Sequence, residues 1–340
     1  MNHNKLNIIL LLSIIILGVI LFFLNLFLGS VVIPFKELWN VILYPESNPT
    51  ISTIVFDYRL PQAVTALLAG AALSVSGLLM QTLFRNPLAD PSMLGISSGA
   101  GLGVAVTILL TGFLGGEALS SFGLWSNIGV SLAAFLGATL VLMLILGFSS
   151  RVRNMTTLII IGLMISYLAG SLTDIMKFFS VKEDIHAFVI WGMGSFSAVG
   201  TSKLAFFSIA ISMGLFASLF LPKILNILLL GDLYAENLGI NIKRSNFLII
   251  LISGYLTAIV TAYCGPIAFL GLAIPHLARF IFRTSDHRIL IPAVMLIGML
   301  ISLLCNLIAR APGFEGNLPI NAVTALIGAP VVIWIILRKR

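Results

Sequence analysis

Residues 59–103 read RLPQAVTALLAGAALSVSGLLMQTLFRNPLADPSMLGISSGAGLG, and this stretch decides the fold. Arg59-Leu60-Pro61 opens an apolar run, Arg85-Asn86-Pro87-Leu88-Ala89-Asp90-Pro91 closes it, and a second apolar run dotted with Gly and Ser follows at once. Each run approaches the ~20 apolar residues with which a helix crosses the hydrocarbon core of a bilayer. Proline ends helices, because it has no amide proton and its ring clashes with the preceding turn. The stretch therefore reads as a helical hairpin across a membrane, with a tight polar turn at one end.

Composition agrees. The chain has 340 residues, 59% hydrophobic and only 9% charged, against roughly 25% charged in soluble domains. Cys264 and Cys305 both lie in apolar runs, so no disulfide framework is implied. After Lys5 an apolar stretch continues to about Val32. It exceeds the usual 7–15-residue core of a signal peptide and has no clear small-x-small cleavage site, so it reads as a retained span.

Windows of about 20 apolar residues give ten spans, near 6–30, 60–84, 93–114, 125–148, 156–179, 203–222, 245–264, 266–284, 289–309 and 318–337. The eighth is broken by Pro266 and Pro275, and residues 185–198 are apolar but too short to span, as an interfacial or re-entrant helix would be. The expected fold is an all-α polytopic membrane protein, one bundle of about ten transmembrane helices over residues 1–340 with no separate soluble domain. With the N-terminus inside, Lys5, Arg85, Arg151, Arg153, Lys223, Lys243, Arg244, Arg279, Arg283, Arg288, Arg338, Lys339 and Arg340 face the cytoplasm. Lys36, Arg59, Lys177, Lys182, Lys203 and Arg310 face outward. That asymmetry obeys the positive-inside rule and puts both termini in the cytoplasm. Spans two to five and seven to ten each open Gly-rich and reach a proline-marked turn, Asn86-Pro87 or Gly265-Pro266. Their odd offset makes any repeat inverted in topology.

Catalytic chemistry finds little support. No Gly-Lys pair occurs, hence no phosphate-binding loop of the G-x-x-x-x-G-K type, and Gly99, Gly101 and Gly103 lie inside a span. His3, His186, His276 and His287 have no partners at metal-ligand spacing. The twelve acids fall in loops or near span ends, Asp174 being the deepest, so a proton-coupled carrier would lack an evident relay. A pore driven by a separate motor fits better. The loop between spans six and seven supports it: Asp232 can N-cap a short amphipathic helix that Gly239 stops, with Leu233 and Leu238 near one face.

The motifs R-L-P, G-A-A-L-x-x-S-G and N-P-L-A-D-P resemble the permeases of vitamin B12, haem and ferric-siderophore ABC importers. So do Gly265-Pro-Ile-Ala-Phe-Leu-Gly271 through Pro275-His276-Leu-Ala-Arg279, Asp286-His287-Arg288, and Leu318-Pro319-Ile320 with Thr324 through Pro330. The resemblance implies an importer permease in the inner membrane of a bacterium. It would work as a homodimer with two ATPase subunits and an external substrate-binding protein, in contact with lipid and not with nucleic acid. No cofactor is expected on this chain; ATP and Mg belong to the ATPase. The expected cargo is a ferric siderophore, with haem, then cobalamin, as alternatives and a proton-coupled carrier as the rival class.

By the same resemblance, Asp232, Tyr234, Glu236, Asn237, Leu238 and Gly239 form the coupling helix gripped by the ATPase. Arg59 and Arg310 pair with carboxylates of the binding protein, the alternative being snorkelling or lipid contact. Gln62 stands where the family often has a second basic residue. Asn86 and Leu88 form a constriction at the cytoplasmic turn, or simply a helix-ending Asn-Pro turn, and Met155 and Thr156, after Asn154, a second one. Gly162, Ser166, Gly170 and Asp174 share one helical face and line either the translocation path or a packing interface.

Overall fold

The computed structural model describes residues 3–29, 33–113, 127–152, 154–311 and 317–338. Arg153, Lys339, Arg340 and the end of the first run at Val32 lie outside the described residues. Among the described residues the regular structure is entirely helical. In chain order the helices are α1 (His3–Phe27), α2 (Phe35–Leu43), α3 (Pro49–Thr53), α4 (Leu60–Leu83), α5 (Ile96–Phe113), α6 (Asn127–Arg151), α7 (Met155–Phe179) and α8 (Lys182–Gly192). There follow α9 (Thr201–Ser218), α10 (Pro222–Leu228), α11 (Asp232–Asn237), α12 (Ile242–Cys264), α13 (Leu270–Phe282), α14 (His287–Ala309) and α15 (Ile320–Arg338). Seven of the described helices are long and apolar enough to cross a membrane, and three shorter apolar segments, Ile96–Leu109, Leu270–Phe282 and Ile320–Trp334, stand where the remaining expected spans were read.

α4 is the centre. Its span is 83% buried, whereas that of α1 is 11% buried and turns Ile8, Ile9, Leu12, Ile16 and Val19 outward, toward where lipid would lie. The sequence explains the contrast. α4 carries Ala and Gly where α1 carries Ile, Leu and Phe, and small side chains let helix backbones approach closely inside a membrane. A Cβ added to Gly77 would overlap the Gly271 backbone of α13, and one at Gly70 would overlap Gly298 of α14. Hydroxyls and amides then pair between helices: Ser76 with Ser253 at 2.6 Å and Thr257 at 2.8 Å, and Ser302 to the Ala66 carbonyl at 2.6 Å.

Two features depart from the expected spans. The second span was expected to begin at about residue 60, but α3, a π-helical turn at Ile54–Arg59 and α4 form one continuous 35-residue helix, Pro49–Leu83. The π turn lies just ahead of Pro61, whose ring would clash with the carbonyl four residues back in an unbroken α-helix. The eighth span is only 13 residues long and has Pro275 inside it, about 20 Å at 1.5 Å per residue, so it cannot cross a bilayer alone. Phe269 enters it at φ +69° after the extended stretch around Pro266. Both proline-marked turns thus follow a long buried helix and precede a shorter apolar one. The 185–198 stretch forms α8 and a single 3-10 turn at Phe196–Ala198, with α8 packed on α5.

Candidate functional site

Apart from the stripe along α7, the expected functional residues gather at the two ends of the bundle. At the Arg85 end, α4 closes with a Schellman motif: Arg85 N–H donates to the Thr82 carbonyl at 3.3 Å and Asn86 N–H to the Gln81 carbonyl at 3.2 Å. This geometry puts residue 85 in the left-handed region, φ +47°, where glycine is the usual occupant. The turn then locks itself. The Asn86 side-chain oxygen accepts from Leu88 N at 2.9 Å, and Ala89 N donates to the Asn86 carbonyl at 3.1 Å. His276 Nε2 of α13 bonds the Pro87 carbonyl at 2.7 Å. Leu88 remains exposed at 44%, so an apolar tip projects from a rigid turn.

The short loop helix exists as α11, but Asp232 is not its N-cap. Gly231, at φ +108°, holds that position, and the Asp232 carboxylate forms an ion pair with Arg85. The physical reason is competition: a guanidinium across the groove outbids a neutral amide as partner for a carboxylate. Gly239, φ +81°, does end the helix, with Gly239 N donating to the Glu236 carbonyl at 2.9 Å and Ile240 N to that of Ala235 at 3.0 Å. Leu233, Tyr234 and Leu238 are exposed while Ala235 is buried, so α11 rests on a small residue and presents large ones outward.

A polar cluster joins α4, α10, α13 and α14 at this end; its Arg279, Asp286 and His287 lie in the quoted motifs, whereas Gln81, Thr82 and Asn226 were given no role by the sequence. Arg279 Nη1 donates to Gln81 Oε1 at 2.6 Å, and Thr82 Oγ1 bonds His287 Nε2 at 2.9 Å. Asn226 Oδ1 accepts from His287 N at 2.9 Å, and Asn226 Nδ2 donates to Asp286 Oδ1 at 2.6 Å. Asp286 caps α14 through Arg288 N at 2.9 Å. That amide, and then Asn226, hold its carboxyl below the usual aspartate range. The available signal was Asn226 within an otherwise apolar loop segment; its partners lie some 60 residues away in the chain.

The stripe on α7 divides in two. A Cβ at Gly162 would press on the Met93 carbonyl and Leu94, and Gly95 sits against Gly162 and Ser166. The half nearer Met155 is therefore a packing surface for the segment that follows the Asn86 turn. Gly170 has nothing within 4 Å of a built Cβ, and Asp174 is exposed and pairs with Lys177 at 3.1 Å, so the other half is open. Met155 touches Asn246 of α12, and Thr156 is exposed. Within one chain no hydrogen bond joins either residue to Asn86 or Leu88 among the described residues.

At the opposite end Arg59 and Arg310 come together, but inward. Arg59 is 2% exposed and donates through Nη1 to the Leu26 and Phe27 carbonyls at 2.7 and 2.8 Å. Those carbonyls belong to the unsatisfied last turn of α1, where a cation also meets the negative end of the helix dipole. Arg310 is 9% exposed and reaches the Asn25 carbonyl at 3.5 Å. Burial first, and then the Arg59 charge, lower its pKa to about 10. Beneath them Gln62 donates to Asn306, and Asn306 to Asn25, at 3.1 and 2.8 Å. Gln62 thus completes an internal amide chain. Both arginines also line a cavity of about 350 Å³ with Asp57, Tyr58, Ser197 and Asn317.

Among the described residues no cluster of His, Cys, Asp or Glu could hold a metal ion. The described residues form a polytopic helical bundle of the membrane class, with a rigid turn at one end and a short exposed helix beside it. The model of the FecCD transport family matches residues 15–338, and the chain belongs to that family. The vitamin B12 import system permease protein BtuC of Klebsiella pneumoniae is 37% identical over 287 residues, covering 84% of this chain and 83% of the relative. The hemin transport system permease protein HmuU of Yersinia pestis is 34% identical over 314 residues, covering 92% and 90%. A solved structure of a metal-chelate type ABC transporter in an inward-facing conformation superposes with a TM-score of 0.83 at 32% identity, covering 97% of this chain and 99% of that one. The chain is accordingly a permease of the FecCD type, a transport subunit and not an enzyme.

Proposed function

We propose that the chain imports a bulky metal chelate across the cytoplasmic membrane of a bacterium, with both termini inside. It works as a homodimer with two ATPase subunits, which carry ATP and Mg, and an external binding protein that selects the cargo. The observation that carries this reading is α11, whose exposed Leu233, Tyr234 and Leu238 form a knob that a soluble motor subunit can grip. On this reading Asp232 through Gly239 transmit the motor stroke, and Asn86, Leu88, Met155 and Thr156 close the path inward. Gly170 and Asp174 border the path, whereas Gly162 and Ser166 hold helices together. Arg59 and Arg310 meet carboxylates of the binding protein by rotating out of the α1 cap.

A ferric siderophore was the cargo expected from the sequence. The relatives named for vitamin B12 and hemin put cobalamin and haem beside it, and all three are wide, metal-centred chelates. Vesicles holding the permease and its ATPase, offered hemin, cyanocobalamin and a ferric hydroxamate in turn with the binding protein outside, test the reading. ATP-dependent uptake of one cargo supports it. Uptake that ignores ATP and collapses with a protonophore overturns it.

A further inference from the structure

The Arg85 side chain lies across the joint between α10 and α11. Its Nη2 donates to the Leu228 carbonyl at the end of α10, at 3.2 Å, and to Asp232 Oδ1 at the start of α11. Between those acceptors the chain turns through Gly231 at φ +108°. Among the described residues this is the one side-chain hydrogen bond tying α11 to any other element. Behind the joint, Asn226 fixes α10 to the start of α14 through Asp286 and His287. A displacement of α11 therefore has one direct side-chain route into the bundle, beside the backbone path through α10, and that direct route ends at the residue preceding Asn86.

The other end of the route is stiff. Residues 85–89 are held by the Schellman bonds, by the Asn86 side chain and by His276 on the Pro87 carbonyl, so they move as a block. Arg85 also occupies a left-handed position at φ +47°, which costs a residue with a Cβ about 1 kcal/mol relative to glycine. An exposed ion pair contributes about 0–1 kcal/mol and so at most cancels that cost. Stability thus gives no reason for an arginine here, and the geometry gives one.

We infer that Arg85 is the positioning residue that transfers movement of the motor-facing helix to the gate turn, by stapling the α10–α11 joint to Asn86–Leu88. This rests on the importer reading above, and the experiment separates the two. Leu88→Cys is placed in the permease–ATPase complex in vesicles, and crosslinking between the two copies is followed with and without ATP. In that background Arg85→Asn removes the charge with a residue that tolerates a left-handed backbone. The pair Arg85→Asp with Asp232→Arg restores the attraction in reverse.

The expected result is a nucleotide-dependent change in crosslinking with Arg85 intact. Arg85→Asn should reduce that change at least five-fold and lower uptake per ATP hydrolysed by a similar factor, and the reversed pair should recover half or more. The detergent-solubilised variants should keep their unfolding temperature, since the pair is exposed. A response in Arg85→Asn reduced by less than five-fold overturns the inference and leaves the importer reading intact. So does a reversed pair no better than Arg85→Asn. No nucleotide response and no ATP-driven uptake even with Arg85 present overturns the importer reading, and the inference falls with it.

Discussion

Replacing Arg59 by Ala separates a structural role from a docking role. The guanidinium makes two bonds of 2.7 and 2.8 Å to carbonyls of the last turn of α1. Hydrogen bonds to a charged group contribute about 1.5–3 kcal/mol each, so about 3–6 kcal/mol is removed. Freeing a side chain with about 2 kcal/mol of rotamer entropy offsets part of this and leaves a net loss of about 1–4 kcal/mol. At roughly 2 °C per kcal/mol for a chain of more than 200 residues, thermal unfolding in detergent should fall by about 2–8 °C. Arg59→Lys keeps a charge but not the fork and should lose about half as much. Arg59→Glu aims a carboxylate at carbonyl oxygens and should be the worst of the three. Weakened binding-protein association by Arg59→Glu thus speaks for docking only when its unfolding temperature is measured alongside. An Arg59→Ala chain that unfolds within about 1 °C of the parent would refute the capping argument.

Three further outcomes are expected. Gly77→Ala, which drives a methyl into the Gly271 backbone, should destabilise by about 3 kcal/mol. Gly147→Ala, with nothing within 4 Å, should be neutral or gain up to about 1 kcal/mol, and the same detergent unfolding assay compares them. Replacing Glu236 and Leu238 together by Ala should leave unfolding unchanged while weakening ATPase association at least ten-fold in a pull-down titration; unimpaired association would remove α11 from the motor interface. Asp286→Ala deletes the α14 cap and should cost about 1–2 kcal/mol at neutral pH. Because the folded-state pKa of Asp286 is depressed, its contribution is present above the unfolded value of about 3.9 and is lost as pH falls through the folded one. The gap between parent and variant should therefore close in acid and stay constant from pH 5 to 8.

The long apolar helices, the shortness of the eighth run, the stop at Gly239 and a short helix within the 185–198 stretch were legible because each depends on local properties: run length, proline and glycine. Side-chain direction was not. Arg59 and Arg310 lie at the same end of the bundle, and both turn inward because the end of α1, more than 30 residues from Arg59 in the chain, offers carbonyls that need donors. Asp232 looked like a cap because aspartate before a helix usually is one; only the fold brings Arg85, 147 residues away, within reach. The even spacing of Gly162, Ser166, Gly170 and Asp174 marks a face, but what covers that face is decided by the 91–95 segment, which reaches only its first half.

The distribution of small residues and polar ties bears on how such a bundle can move without coming apart. α4 is bound to α13 and α14 through backbone contacts at Gly77 and Gly70 that tolerate no insertion, and to α12 through the Ser76 hydroxyl cluster. These helices are fitted as a unit. α7 behaves differently, because past Ser166 its stripe meets nothing, and Leu163, Met164, Tyr167, Leu168 and Phe178 are exposed. Packed interiors are bistable rather than continuously deformable, so displacement concentrates where packing is thin and ties are few. In this chain the open half of α7 meets that description, whereas the α10–α11 joint rests on buried Leu225, Leu228 and Ala235 and is tied through Arg85 to the turn that carries Leu88.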